Sequence, residues 1–591
     1  MNKSNYDILR VLKESQYINQ RNLAEESGYS LGVVNRALKE LFQHGYVDEQ
    51  MQLTLKAKIE IEQKAPQRAI ILAAGYGMRT TPINTETPKA LIEIKGERII
   101  ERLIKQLISV DIREIYVVVG FMKERFEYLI DQYGVKLIVN AEYSVKNNLY
   151  SVMLSQKYLS NSYIIPCDLW CRENPFCKNE FYSWYMVSRE TNCESRVRVN
   201  RKGEVVMIKE NSEGNVMIGI CYLLRQDAEV IRSRIQELCS QRCNDGAFWE
   251  EALFKNDRMI IPAKMMEVND IVEINTYEQL REFDNNSNQL KNNAIQIICR
   301  VLETQTKNIK NIRVLKKGMT NRSFLFECKG KRYIMRIPGE GTKRLIRREQ
   351  EAAVYHAIEG MNIADNIVYI DPKCGYKITE YWEEARVCDP LNVKDLEQCM
   401  SCLRRFHELK LKVDYEFDLF RQICFYEELL GEGKSVFHDY KETKKNIFSL
   451  RKYIEEHVEE KVLTHIDAVP DNFLFIWQGK EEEVRLIDWE YAGMQDPHVD
   501  IAMFCIYSFY DKNQIDSLID IYFRGECSLA IRIKIYCYIA VCGLLWSNWC
   551  EYKQLLGVEF GEYSIRQYRY AKDFYRIAQR EIEGNGEKEN A

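Results

Sequence analysis

Ala69-Ile70-Ile71-Leu72-Ala73-Ala74-Gly75-Tyr76-Gly77-Met78-Arg79 is an apolar run that ends in two glycines and an arginine. Such a run, bounded by glycine, reads as a strand buried on both faces, as in parallel sheets. The glycines behind it let backbone N–H groups approach phosphates closely, and the arginine neutralises them. A lone Gly-x-Gly is also an ordinary tight turn. Here Thr87-Pro88-Lys89-Ala90-Leu91 adds a second cation, on a loop that can fold back over the same phosphates. Outward from this point strand and helix patterns alternate to about Phe283, an α/β layout.

A second chemical stretch lies far downstream. Leu463-Thr464-His465-Ile466-Asp467-Ala468-Val469-Pro470-Asp471-Asn472 contains His-x-Asp-x4-Asn, and Leu486-Ile487-Asp488-Trp489-Glu490 follows after a hairpin-length gap. Phosphoryl transfer from ATP needs an acid to position and deprotonate a hydroxyl, plus two oxygen ligands for magnesium. Asp467 fits the first role; Asn472 and Asp488 fit the second. The region Ile312 to Ile337 is strand-rich, long helical patterns run from there to the end, and Glu583 to Ala591 reads as a frayed tail.

Residues 1 to about 65 differ from both. Helical patterns at Gln20–Ser27 and Leu31–His44, split by Gly28-Tyr29-Ser30, suggest a helix-turn-helix with Ser30 as an N-cap; Tyr46-Val47 and Gln52-Leu53-Thr54-Leu55 would form a wing. The polar stretch Asp284 to Asn293 is the best linker candidate. The expected domains are therefore 1–65, 66–285 and 286–591.

Composition sets the outer limits. A chain of 591 residues is long enough for roughly four domains, which excludes one small module. Hydrophobic residues make up 46%, charged residues 29%, and Gly and Pro number only 28 and 11, so the chain is ordered and globular. A formal charge of −5 offers no global attraction to nucleic acid or to an anionic membrane. The polar start Met1 to Asp7 lacks a signal peptide's pattern, which points to a cytoplasmic location. The longest apolar stretch, Ile535 to Trp546, falls short of the ~18 residues of a membrane span, so no membrane insertion is expected. The 19 cysteines lie mostly in apolar contexts and read as reduced thiols. Cys399 and Cys402 form a CxxC close to His407, but without a second pair this reads as a coincidence on a helix, not zinc.

The glycine pair, Arg79 and Thr87-Pro88-Lys89 resemble the signature of nucleotidyltransferases that join an NTP to a phosphorylated substrate, over residues 68 to 283. That resemblance implies a Rossmann-like, mostly parallel sheet in which Gly75, Gly77, Arg79 and Lys89 hold the triphosphate and Arg79 and Lys89 serve catalysis. It also implies magnesium on Asp168, at the end of Tyr163-Ile164-Ile165-Pro166-Cys167-Asp168, and on Asn275 of Val272-Glu273-Ile274-Asn275. Many relatives carry Asp at the latter position; an amide oxygen also ligates magnesium. Asn147-Asn148-Leu149-Tyr150-Ser151 is similar to the corresponding stretch of bacterial CTP:phosphocholine cytidylyltransferases, making Asn148 a nucleotide contact. Trp184 in Tyr182-Ser183-Trp184-Tyr185 and Trp249 in Phe248-Trp249-Glu250 offer aromatic faces to a quaternary ammonium, although either ring serves equally well in a core.

The downstream motifs resemble the α+β kinase-like fold shared by choline kinases and aminoglycoside phosphotransferases, over about 295 to 580. Gly318-Met319-Thr320-Asn321-Arg322-Ser323 looks like their phosphate loop, with Thr320 and Asn321 as contacts. Tyr333-Ile334-Met335-Arg336-Ile337-Pro338-Gly339 looks like the strand bearing the phosphate-binding cation, here Arg336 where protein kinases carry Lys. Glu351, or in its place Glu349, would be the partner of Arg336. Thr379-Glu380-Tyr381 would be the hinge that meets adenine through its backbone. Trp546 and Trp549 share one helix face, as in the Trp-x-x-Trp that lines the ammonium pocket of choline kinases, with Tyr552 beyond them; two core tryptophans are the plain alternative.

Together the resemblances imply phosphorylation of choline, or a similar amino alcohol, by ATP, then transfer of a cytidylyl group from CTP to phosphocholine, with CDP-choline feeding surface polymers. Two other readings stay open. One is a kinase and nucleotidyltransferase pair for ethanolamine. The other is a DNA-binding regulator with ligand-sensing domains; residues 1 to 65, however, hold nine Lys/Arg and nine Asp/Glu, without the usual basic footprint.

Overall fold

The computed structural model describes residues 2–15, 17–85, 87–209, 212–267, 270–315, 321–339, 345–431, 435–479, 481–556, 558 and 560–589. They form two compact units, Met1–Ile297 and Ile298–Ala591.

The first unit begins with the winged helix: α1 (Lys3–Glu14), α2 (Gln20–Ser27), α3 (Leu31–Gln43) and α4 (Leu55–Lys64). Asn2 and Asn19 cap α1 and α2 with their side chains, and Gly28, at φ +72°, ends α2 in the left-handed conformation that glycine adopts without strain. Ser30 stands at the N-cap of α3, but its hydroxyl makes no cap bond. The wing is shorter than its sequence suggests, a single bridge between Val47 and Leu53. The Thr54 hydroxyl accepts from the Ala57 amide and starts α4, so Leu55 is helical. The core of this module, with Ile8, Val34, Leu38 and Ile61, also includes Phe181 from beyond the first strand.

That strand, Arg68–Ala73, lies between Glu114–Val119 and Ser162–Pro166, parallel to both, and Lys136–Val139 extends the parallel part at the edge. Beyond Ser162–Pro166 the sheet continues through the antiparallel strand Gly214–Leu223 to Trp184–Asn192, Arg258–Met266 and the short strands that follow. Ligands of such sheets bind off the carboxyl ends of the central strands. Gly75–Arg79 and Asp168 both emerge at that edge, from neighbouring strands. The expected linker is no free tether. Asp284 accepts from the Lys95 amide, the Ser287 hydroxyl donates to Glu93 O, and Asn292 Nδ2 donates to Pro82 O. Polar residues that read as loop in sequence are here tied to the surface of the first unit, and the two units part at 297/298, inside the helix Asn293–Val301.

The second unit has a five-stranded antiparallel sheet, in the order Lys310–Val314, Asn321–Cys328, Lys331–Pro338, Lys377–Glu380 and Ile367–Ile370, followed by a mainly helical part. Helix Leu529–Leu555 is long and apolar enough to cross a membrane, yet 78% of its apolar window is buried inside this unit, as expected of a core helix that is apolar on all sides. The final helix, Tyr563–Glu589, runs on past Glu583, where the sequence suggested fraying; its packing on Leu529–Leu555 supplies what isolated helix propensity lacks. Cys399 and Cys402 are buried, and both ring nitrogens of His407 are engaged, Nε2 with Asp500 at 3.0 Å and Nδ1 with the Tyr522 hydroxyl at 2.8 Å.

Candidate active sites

A cavity of about 500 Å³ opens at the carboxyl edge of the parallel strands, lined by Gly75, Gly77, Arg79, Lys89, Asn148, Asp168, Trp249 and Glu250. Gly77 adopts φ +64°, and a Cβ there would come within 3.2 Å of the Lys89 side chain, so the glycine permits the two loops to meet. Lys89 Nζ lies 2.5 Å from Asp168 Oδ2 and 2.7 Å from Asn275 Oδ1. The two residues expected to ligate metal thus converge on one point. Asp168 Oδ1 is buried and has no partner among the described residues, an oxygen free to take a cation.

Asn148 does something its sequence context did not show. Its Oδ1 accepts from the Trp249 amide at 2.8 Å, while Asn147 Nδ2 donates to Gly246 O, so the two asparagines fasten the aromatic loop over the cavity. Trp184 does not reach this site. It is buried with its indole N–H donating to Glu180 and Lys264 Nζ over its ring, and the neighbouring Tyr185 instead sends its hydroxyl to Glu250 at 3.1 Å. Successive side chains in a strand point to opposite faces, so Trp184 and Tyr185 diverge, and Trp184 does not line this cavity. Tyr76 and Tyr143 also line the cavity, Tyr76 stacked on Phe121 at 4.2 Å, and nothing in their local sequence singled them out.

In the second unit a cavity of about 640 Å³ joins a charged end to an aromatic end. Asp467 sits on a loop held from below by Asp500, whose two oxygens accept from the His465 and Ile466 amides at 3.0 and 2.7 Å. His465 donates to Ile487 O, and burial pulls its pKa down to about 4, so the ring stays neutral. Asn472 Nδ2 donates to the Asp467 carbonyl at 2.9 Å, and Asp488 adopts φ +66°. Burial, reinforced by Glu490, pushes Asp467 up to about 7 and Asp488 up to about 8.

Arg336 grips both oxygens of Glu351, with Nη2–Oε2 at 2.8 Å. Burial alone would raise Glu351, but the guanidinium outweighs it and holds the carboxyl at about 2. The exposed Glu349 is not the partner. Arg348, which sequence reasoning missed, ties Glu351 (3.0 Å), Glu490 (3.1 Å) and Asn321 (2.9 Å) into the same network. Thr320 lies outside the described residues. The Glu380 and Tyr381 amides are already bonded to Asn366 O and Arg332 O, so a hinge contact from either would use its carbonyl. At the aromatic end Trp546 meets Trp549 (5.5 Å) and Tyr491 (5.4 Å) nearly edge to face, with Tyr507 and Tyr563 completing the wall. Tyr552 is buried but does not line the cavity. Each step of three residues falls about 60° short of a full helical turn, which carries it round the helix from Trp546.

Three family models match the chain: Winged helix-turn-helix DNA-binding over residues 1–48, MobA-like NTP transferase domain over 69–180, and Choline/ethanolamine kinase over 312–520. The choline-phosphate cytidylyltransferase of Streptococcus pneumoniae is 31% identical over 221 residues, 37% of this chain and 96% of that protein. The chain belongs to the choline-phosphate cytidylyltransferase family. The Choline/ethanolamine kinase match over 312–520 adds a kinase to this cytidylyltransferase family member, and protein LicA of Haemophilus influenzae is 29% identical over 266 residues, 42% of this chain and 96% of the relative. A solved choline kinase, LicA from Streptococcus pneumoniae, aligns with a TM-score of 0.43 and 28% identity, covering 48% of this chain and 98% of that one. The chain is a bifunctional kinase and nucleotidyltransferase, and both enzyme families use a divalent metal.

Proposed function

We propose that this chain makes CDP-choline in two steps: choline and ATP give phosphocholine, and phosphocholine and CTP give CDP-choline and pyrophosphate. The observation that carries the reading is the pairing, in one chain, of the aromatic-walled kinase cavity with a site where Lys89, Asp168 and Asn275 meet beside Arg79. Rings stacked edge to face around a pocket attract a quaternary ammonium, each by ~0.5 to 2 kcal/mol.

In the kinase step the aromatic wall holds the ammonium and Asp467 orients the hydroxyl and accepts its proton. In the second step a phosphate oxygen of phosphocholine attacks the α-phosphorus of CTP in line, while Arg79 and Lys89 stabilise the developing charge. Magnesium is the proposed metal, on Asp168 and Asn275 in one site and Asn472 and Asp488 in the other. Few protein ligands fit an ion that relies on substrate phosphates and water for the rest, where it supplies Lewis acidity. Among the described residues no group of three or more His, Cys, Asp or Glu could hold a metal. The proposed location is the cytoplasm, where ATP and CTP are available.

The test is to incubate the purified chain with choline, ATP, CTP and magnesium and identify products by mass. CDP-choline is expected; phosphocholine without CDP-choline, or neither, overturns the reading.

A further inference from the structure

We propose that Glu250 is the counter-ion of the substrate's ammonium in the cytidylyl-transfer site and makes that site demand a cationic substrate. The inference rests on reading the site as a phosphocholine cytidylyltransferase.

Glu250 lines the same cavity as Gly75, Arg79, Lys89 and Asp168, as the second residue of the short helix Trp249–Leu253. Its Oε1 is fixed by the Tyr185 hydroxyl at 3.1 Å. Its Oε2 is buried and accepts no well-formed hydrogen bond among the described residues, the Trp249 side chain and the Glu250 amide being only weaker donors beside the carboxyl. A buried carboxylate oxygen left without a well-formed hydrogen bond is costly, so its persistence at a cavity wall calls for an explanation in what fills the cavity.

The cations at the cavity are otherwise engaged: Lys89 lies against Asp168 and Asn275, Lys146 pairs with Glu142 at 2.7 Å, and Arg79 belongs to the proposed phosphate loop. Among the described residues no Lys or Arg forms an ion pair with Glu250. The cation that faces it must therefore arrive with the substrate. A quaternary ammonium suits an acceptor whose other oxygen is already bonded, because it brings charge without needing a donor contact. Trp249, beside Glu250 in the chain and also at the cavity wall, offers the same group a ring face. Burial, with a smaller contribution from Asp168, pushes Glu250 up to about 7.

The experiment compares CTP-dependent pyrophosphate release from phosphocholine and from 3,3-dimethylbutyl phosphate, in which carbon replaces the charged nitrogen. Wild type is expected to prefer phosphocholine by roughly ten- to a hundredfold in kcat/KM, the range of a charged contact. Glu250→Gln should raise KM for phosphocholine by a similar factor, leave KM for CTP unchanged, and bring the two substrates within a few fold of each other. Glu250→Asp, which keeps the charge, should retain the preference and guards against a Gln variant that fails to fold. A wild type that does not discriminate, or a folded Gln variant that discriminates as wild type does, overturns the role of Glu250 alone. A wild type that releases no pyrophosphate from phosphocholine overturns the functional reading and this inference together.

Discussion

Lys89 and Arg336 are the cations proposed to face phosphate in the two sites, and they are held in opposite ways. Lys89 sits on a one-turn helix, 13% exposed, with its ammonium against the two side chains proposed to share a metal. Arg336 lies on a sheet strand, 6% exposed, and its guanidinium grips a carboxylate that Arg348 also holds. A flexible ammonium is a point charge that can follow its ligands as they arrive, whereas a planar guanidinium in a fork-to-fork pair is fixed in advance. The first site therefore places its cation on a loop, and the second places its cation within the fold that carries it.

The sharpest way to break this comparison is to separate the two activities. Asp467→Asn keeps the side chain's size but loses the base, and should cut phosphocholine formation by about a thousandfold or more while pyrophosphate release from CTP and phosphocholine continues near the wild-type rate. Asp168→Asn should do the reverse. Loss of both activities in either folded variant would mean that the sites are coupled.

Next in size is the contrast between the cations themselves. Arg336→Ala leaves buried Glu351 without its bidentate partner, with Arg348 and the field of Lys377 remaining, and should cost the second unit about 3 to 5 kcal/mol in denaturant unfolding as well as its kinase activity. Lys89→Ala should lower cytidylyl transfer about a hundredfold with unfolding of the first unit unchanged within ~1 kcal/mol. Equal losses of stability would erase the distinction drawn here.

A smaller effect is expected at the aromatic wall. Trp546→Ala or Trp549→Ala should raise the kinase KM for choline roughly five- to thirtyfold, with KM for ATP little changed, because one face of the ammonium site is removed. Steady-state kinetics in both substrates decides it. The smallest effect is a pH profile. Glu250 is raised to about 7 by burial and by Asp168, so it is protonated below that pH and charged above it. KM for phosphocholine in wild type should fall several-fold as pH rises from about 6 to 8, beyond any change seen in Glu250→Gln, which reports the substrate's own titration.

Much of both sites was legible because phosphate chemistry is carried by residues close together in the chain. Gly75, Gly77 and Arg79 follow one strand, and Asp467, Asn472 and Asp488 lie on one loop and the end of its hairpin. The aromatic contacts were harder. Trp184 lies on a strand beside Tyr185 and neither ring lines the cavity, Tyr185 reaching it only through its hydroxyl on Glu250, and Tyr552 follows Trp546 and Trp549 at the same spacing although the helix turns it away. Tyr491, Tyr507 and Tyr563 reach the wall from separate segments, and no spacing announces them.

By itself, then, the sequence determined the three-part architecture, the reaction classes and the residues proposed to meet phosphate, since hydrophobic period and short motifs are local properties. Only the tertiary structure decided that Glu351 rather than Glu349 pairs with Arg336, that the polar stretch 284–293 is bound to the first unit, and that Glu250 faces the cytidylyl cavity with one oxygen unpaired. Those outcomes depend on strand parity, helix rotation and the meeting of segments far apart in the chain, none of which is a property of any short stretch of residues.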